Sequence, residues 1–361
     1  MQQPSRIPEL DGVRGTSAIM VIIAHLFGEP PHGIHALTLG WLCVDVFFVL
    51  SGFLIGSIIL NEYNETGFFK SFYVRRAARI IPAYALVLVV TLPLAALTAG
   101  HIWSDHPFSA WVYGTFTTNF AMGFSDGGGT WMRPTWTLAV EEQFYLLLPL
   151  VIYVTPRRLL PSLLIALWLS AFAIRVALSF HYPLAVLTLL PCRMDLLLAG
   201  TGVALLNRQF DMKRYLTVLR VIPLVAAFVL LIVALYGKEG TFQIVSDSAA
   251  SIGIASYLLA IIHGAPEGKR YRSPVLRYLG KVSYTLYLVH QSVSGLLHGL
   301  LLGGLPDVGT PAQIAVSLLA IAVSVGLASL SWYWFEAPIL RWARNYSTTP
   351  HALPASTVVT G

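Results

Sequence analysis

Apolar runs recur along the whole chain with short polar breaks between them. Residues 80 to 100, 159 to 174, 221 to 237, 248 to 262 and 308 to 335 are the plainest, each near or above the length that a membrane-spanning helix needs. With the less pure runs included, the pattern predicts ten spans, near residues 11–28, 41–60, 80–99, 137–154, 159–177, 186–206, 218–236, 247–263, 279–302 and 312–335. The chain therefore reads as an all-α polytopic integral membrane protein with about ten transmembrane helices. An eleventh candidate, FSAWVYGTFTTNFAMGF (residues 108–124), is decided by charge rather than by periodicity.

With the N- and C-termini cytoplasmic, all of the 23 Lys and Arg residues except Arg133, Arg175, Arg193 and Lys238 fall on the cytoplasmic side, as the positive-inside bias requires. If residues 108–124 crossed the membrane, every later basic loop would turn outward. They are placed instead as an interfacial or re-entrant piece of a long outer loop, where aromatic residues and glycines suit the headgroup region. No small-residue cleavage site follows the first span, so that helix is expected to be retained.

Composition agrees. Of the 361 residues, 56% are hydrophobic and 11% charged, whereas a soluble domain carries about 25% charge. The net charge of +6 belongs to the flanks of the spans, so the bilayer and not nucleic acid is the expected partner. Cys43 and Cys192 read as buried small hydrophobes, with a disulfide left open. Residues 1–344 form the membrane domain, and the small, polar stretch 345–361 is expected to be a disordered tail. Oligomeric state is not encoded in any pattern of this chain.

Ionisable residues inside spans cost ~2.5 to 3.5 kcal/mol each on insertion scales, so a group of them at one depth is a site hypothesis. The stretch DGVRGTSAIMVIIAHL places Arg14 near the inner end of the first helix and His25 near its outer end. Eleven residues apart, they lie within about 20° of one face and roughly 16 Å apart along it. Asp45 in the second helix, and Glu141 and Glu142 in the first turns of the fourth, are expected at the level of His25. Arg193 and Asp195 begin the sixth span at that level, and Arg175 and His290 reach it from helices five and nine. Singly, such residues snorkel or form structural pairs; together they suggest a reaction layer.

At the cytoplasmic end, FYVRRAARIIP carries Arg75, Arg76 and Arg79. Arginine forks suit phosphate, although a positive-inside flank looks much the same. Arg14 at the same depth favours a ligand with phosphates at the inner end and a reactive group ~16 Å deeper. Acyl-CoA has that shape, with its phosphorylated head and its thioester at the end of a long arm. His25 would take the proton of an attacking hydroxyl, oriented by Asp45, Glu141 or Glu142. Arginine, Trp136 or backbone donors would hold the acceptor or the oxyanion. Direct acylation of His25 is a second route. No metal is called for.

The segments PELDGVRGTSAIMVIIAHL, CVDVFFVLSGFLIG, FYVRRAARIIPAY, WTLAVEEQFYLLLPL, LGKVSYTLYLVHQSV and SWYWFEAPILR resemble, in order and over nearly the whole chain, the acyltransferase 3 family of membrane O-acyltransferases. The resemblance implies a ten-helix fold that moves an acyl group, often acetyl, from cytoplasmic acyl-CoA (acetyl-CoA) to a hydroxyl, commonly of a carbohydrate or glycosylated acceptor. It implies Arg14 and His25 as the family's arginine and histidine, Arg76 and Arg79 as its cytoplasmic pair, and Glu141 and Glu142 as its paired glutamates. Trp136, Arg193, Asp195 and His290 are carried as acceptor contacts. Val289 and Gln291 depart from the family's choices around His290, which leaves packing open as its role. Many relatives add a soluble esterase-like domain after the membrane part; no such domain is expected here. A proton-coupled transporter or flippase is the alternative, since buried acids and histidines also form relays.

Overall fold

The computed structural model describes residues 7–125, 127–237 and 240–348. Arg6, Lys238 and residues 349–361, which include most of the stretch read as a disordered tail, lie outside the described residues. Ten long helices form the body, and among the described residues there is no strand. They are α1 (Pro8–Ile23), α2 (Leu42–Glu62), α3 (Phe68–Leu97), α4 (Thr135–Val154), α5 (Leu160–Ser179), α6 (Leu190–Gln209), α7 (Leu216–Tyr236), α8 (Thr241–Ile262), α9 (Pro274–Leu302) and α10 (Pro311–Ser331). A last helix, α11, covers Ala337–Thr348.

Nine of the described helices are long and apolar enough to cross a membrane. The ninth expected span, α9, has 29 residues and the length to cross, but is more polar, with Arg277, Lys281, His290, Gln291 and His298 along it. His290 and His298 are fully buried among neighbouring helices, whereas Arg277 and Lys281, nearer its start, are exposed. Residues 108–124 form two short helices, Ala110–Gly114 and Thr118–Phe124, neither long enough to span. Helix α3 starts twelve residues before its apolar run, so that Arg75, Arg76 and Arg79 sit within regular helix; arginine is a good helix former, and apolarity alone does not mark a helix start.

Two close helix pairs hold the centre, α1 against α9 and α2 against α6. Both rest on glycines at the crossings. A Cβ on Gly15 would lie 2.0 Å from the Leu276 carbonyl oxygen, and one on Gly52 would lie 1.9 Å from that of Leu197. Small residues let helix backbones meet in a membrane, where no hydrophobic force draws them together. Lipid-facing α7 stands at the periphery, with Leu224, Phe228 and Leu235 exposed. Both cysteines are free, Cys192 buried and Cys43 half-buried.

Candidate active site

Helix α1 ends in a single π turn, Ala24–Gly28, which contains His25. Such turns widen a helix locally and recur at functional sites. Arg14 lies near the end of the helix where the chain's basic residues gather and lines one cavity, and His25 lies near the opposite end and lines another.

At the basic end, a cavity of about 120 Å³ lies among α1, α2, α3, α4 and α9. Arg14, Arg76 and Arg79 line it together with Ser51, Glu141 and Tyr145. The i, i+3 spacing puts Arg76 and Arg79 on one face of α3, and Arg79 also lies over the Trp332 ring at 5.6 Å. Glu141 is held by a hydrogen bond from the Ser51 hydroxyl at 2.5 Å. Arg75 turns away and bonds Glu62. Arg79 is also paired with Glu336 at 3.9 Å; the cavity wall itself carries three guanidinium groups and one carboxylate, Glu141.

A smaller cavity of about 40 Å³ lies at the other end, lined by His25, Glu29, Trp41, Arg133 and Trp136. Val44 and Tyr287 line both cavities, so the two are separated by little more than these side chains. The Tyr287 hydroxyl accepts a hydrogen bond from Thr137 at 3.2 Å, and its ring packs on Phe47 at 5.9 Å.

The hydrogen bonds around His25 fix its tautomer. His290 Nδ1 lies 2.7 Å from the Tyr287 carbonyl oxygen, which can only accept, so this nitrogen carries the proton. A fully buried imidazole without a carboxylate partner is neutral, which leaves His290 Nε2 as an acceptor. His25 Nδ1, 2.8 Å away, must then be the donor. The lone pair of His25 therefore sits on Nε2, with Glu29 at 3.5 Å. His290 thus orients the His25 ring through this bond, as a buried carboxylate orients an imidazole elsewhere.

The carboxylates expected beside His25 lie elsewhere. Glu141 is six residues into α4, roughly 9 Å along the helix, and belongs to the arginine cavity. Glu142 follows it, with Oε1 buried and unpartnered. Asp45 is at the expected end of α2, but on the side that faces α6, where Arg193 bonds it at 2.5 Å. For Asp45 the depth was readable from topology and the facing was not; for Glu141 the expected depth itself was wrong, because six residues of helix carry it to the arginine cavity. Glu29 fills the place instead.

Arg193 and Asp195, expected to meet the acceptor, sit in a buried network. Arg193 also bonds Asp247 at 2.6 Å, and Arg175 bonds Asp195 at 2.6 Å and Ser248 at 2.5 Å. These pairs tie α2, α5, α6 and α8 together. The network touches the site through Trp136, whose ring lies 5.8 Å from the Arg193 guanidinium and stacks at 6.0 Å on Trp41. Sequence reasoning missed Glu29, Ser51, Tyr287 and Asp247. Arg133 had a signal: it was one of four basic residues away from the basic end.

An all-helical membrane protein with a buried arginine cavity backing onto an oriented histidine is the class that these features define. The profile of the acyltransferase domain family, acyltransferase 3, matches residues 7–333, and the chain belongs to that family. A protein of Staphylococcus aureus strain COL, provisionally named an O-acetyltransferase, is 28% identical over 389 residues, covering 98% of this chain and 61% of its own length. The O-acetyltransferase OatA of Staphylococcus aureus strain NCTC 8325 is 27% identical over 374 residues, covering 94% of this chain and 58% of its own. The chain thus spans about three fifths of the length of these relatives. No solved structure matches it.

Proposed function

We propose that the protein is a membrane O-acyltransferase that moves an acyl group, acetyl in the first instance, from acyl-CoA to a hydroxyl of a carbohydrate-containing acceptor. Cell-surface polysaccharide, lipopolysaccharide and glycosylated metabolites are the acceptor class. The basic end faces the cytoplasm of a bacterial cell, and residues 1–344 are the acyltransferase domain. The observation that carries this reading is the meeting of two cavities at Val44 and Tyr287, arginines on one side and the His25 lone pair on the other.

Arg14, Arg76 and Arg79 hold donor phosphate, while Arg75 stands near the same end for the nucleotide. A cavity of about 120 Å³ takes the arm of the donor and leaves the nucleotide outside. Tyr287 swings aside to let the thioester reach His25. As the acceptor oxygen attacks the thioester carbonyl, His25 Nε2 takes its proton; the C–S bond then breaks, and the leaving thiolate takes that proton back. Arg133 faces the developing oxyanion. Trp136 receives the sugar ring, and Arg193 with Asp45 and Asp195 steadies it from behind. Glu141 and Glu142 set the charge of the arginine cavity.

The kinetic split tests this. Arg76→Gln is expected to raise the apparent KM for acetyl-CoA at least tenfold, while His25→Ala abolishes turnover and leaves CoA binding intact. Loss of CoA binding on replacing His25, or unchanged KM for Arg76→Gln, would point to a transporter or a non-catalytic partner.

A further inference from the structure

A further cavity, apolar in its lining, lies outside the site, and the proposed function makes no use of it. It measures about 290 Å³ and runs between peripheral α7, α8 and the α1 and α2 pair. Its small side chains, Ala226 and Ala227 on α7 and Ala250 and Gly253 on α8, leave the gap. Helix α7 packs along α8 and the turn before it, so the crevice opens toward lipid. Along α8 the lining runs from Ala250 to Ile261, eleven residues or roughly 16 Å. Long and narrow, the crevice suits an extended hydrocarbon chain, whereas a helix with its side chains is about 10–12 Å across.

The mouth at the basic end is of a different kind. Tyr257 and Tyr271 close the lining there, their hydroxyls 3.1 Å apart. Arg270 bonds the Tyr257 hydroxyl at 2.5 Å and lies over the Tyr271 ring at 5.2 Å. Arg220 is paired with Glu267 and Arg272 with Glu9, whereas Arg270 is exposed, feels Glu267 only at longer range and has its hydrogen bond to the Tyr257 phenol. Tyrosines and a basic residue at a helix end mark the headgroup level, and basic pockets between helices take anionic headgroups.

We propose that this crevice is a binding site for an anionic glycerophospholipid, with one acyl chain between α7 and α8 and the headgroup phosphate on Arg270. The chain's apolar length matches the crevice and the phosphate matches its mouth. Leu50 lines both this crevice and the arginine cavity, so the lipid supports the face of α2 that carries Ser51.

The test uses the full chain in nanodiscs, with diazirine-tailed phosphatidylglycerol and phosphatidylcholine as probes and mass spectrometry to map the adducts. Adducts are expected on the α7 and α8 lining, at least fivefold more with phosphatidylglycerol. Ala227→Trp, which fills the crevice, removes them more than fivefold, whereas Leu231→Trp on the exposed face of α7 does not. Arg270→Gln, an exposed change that leaves the fold intact, equalises the two lipids. Adducts spread evenly over exposed helix faces, equal labelling by both lipids in the wild type, or displacement by long-chain acyl-CoA but not by unlabelled phosphatidylglycerol would overturn the proposal. None of these readouts depends on acyl transfer, so the two readings fail separately.

Discussion

Replacing His290 with Phe removes the acceptor for the Nδ1 proton of His25 while keeping a ring against it, where the two imidazoles now stack at 5.0 Å. The lost bond is 2.8 Å long, with His290 fully buried and the His25 side chain only 7% exposed. A buried donor left without a partner costs about 1–3 kcal/mol. His25 escapes that cost by carrying its proton on Nε2, where Glu29 lies 3.5 Å away. The base lone pair then exists only in the tautomer disfavoured by that amount, and at about 1.36 kcal/mol per factor of ten kcat falls roughly 5- to 150-fold. Acetyl-CoA affinity stays the same, because the arginine cavity is untouched. His290→Gln, whose amide oxygen accepts, recovers part of the loss. The assay is thiol release from acetyl-CoA by protein in liposomes, with CoA binding measured by calorimetry on the same samples. Wild-type kcat in a folded His290→Phe variant would refute the tautomer argument, as would equal rates for Phe and Gln with both far below wild type.

Other outcomes follow from the packing and the ion pairs. Arg193→Met strands Asp45 and leaves Asp247 only its longer pairing with Arg175 at 3.7 Å, and should cost about 3–5 kcal/mol; its thermal midpoint in detergent should fall well below that of Arg220→Met, whose pair is partly exposed and worth at most about 1 kcal/mol. Gly52→Ala pushes a methyl to within 1.9 Å of the Leu197 carbonyl oxygen and should destabilise by about 1–3 kcal/mol, measured as a lower midpoint; an unchanged midpoint means that α2 and α6 are not held at this crossing. In the loop after α9, burial pushes the Asp307 carboxyl up, but hydrogen bonds from His32 and Val308 outweigh it and hold the group below its ordinary value. A lowered folded value stabilises above the unfolded pKa and is lost as pH falls through the folded one, so Asp307→Asn should lower the midpoint at pH 7 and match wild type in strong acid. A gap that persists in acid would show that the clasp does not depend on the charge.

The sequence pattern was most informative where one physical signal dominates. Span length and the clustering of Lys and Arg gave the helices, and the same charge argument kept residues 108–124 from being read as a span. Spacing along one helix was equally readable: Arg14 and His25 stand toward opposite ends of the first helix, and Arg76 and Arg79 share a face because a helix fixes its own periodicity. What sequence lacks is the rotation of one helix against another. Asp45 and His25 were assigned one depth, yet Asp45 faces α6. Glu29 was missed for a different reason: it stands four residues after His25, a spacing that helix periodicity brings together, but it falls one residue beyond the predicted first span. His290 was left between packing and contact, and the structure gives it a bond that depends on a backbone carbonyl, a partner that no residue pattern names.

The account's central claim is that His25 is the base of an acyl transfer whose donor is held at the arginine cavity. The most direct measurement is CoA release from acetyl-CoA by purified protein in liposomes, with an acceptor extract supplied, comparing wild type and His25→Ala at equal CoA occupancy. Release by the wild type and none by the variant is the predicted result. Equal release by both, or CoA binding without release by either, would contradict it.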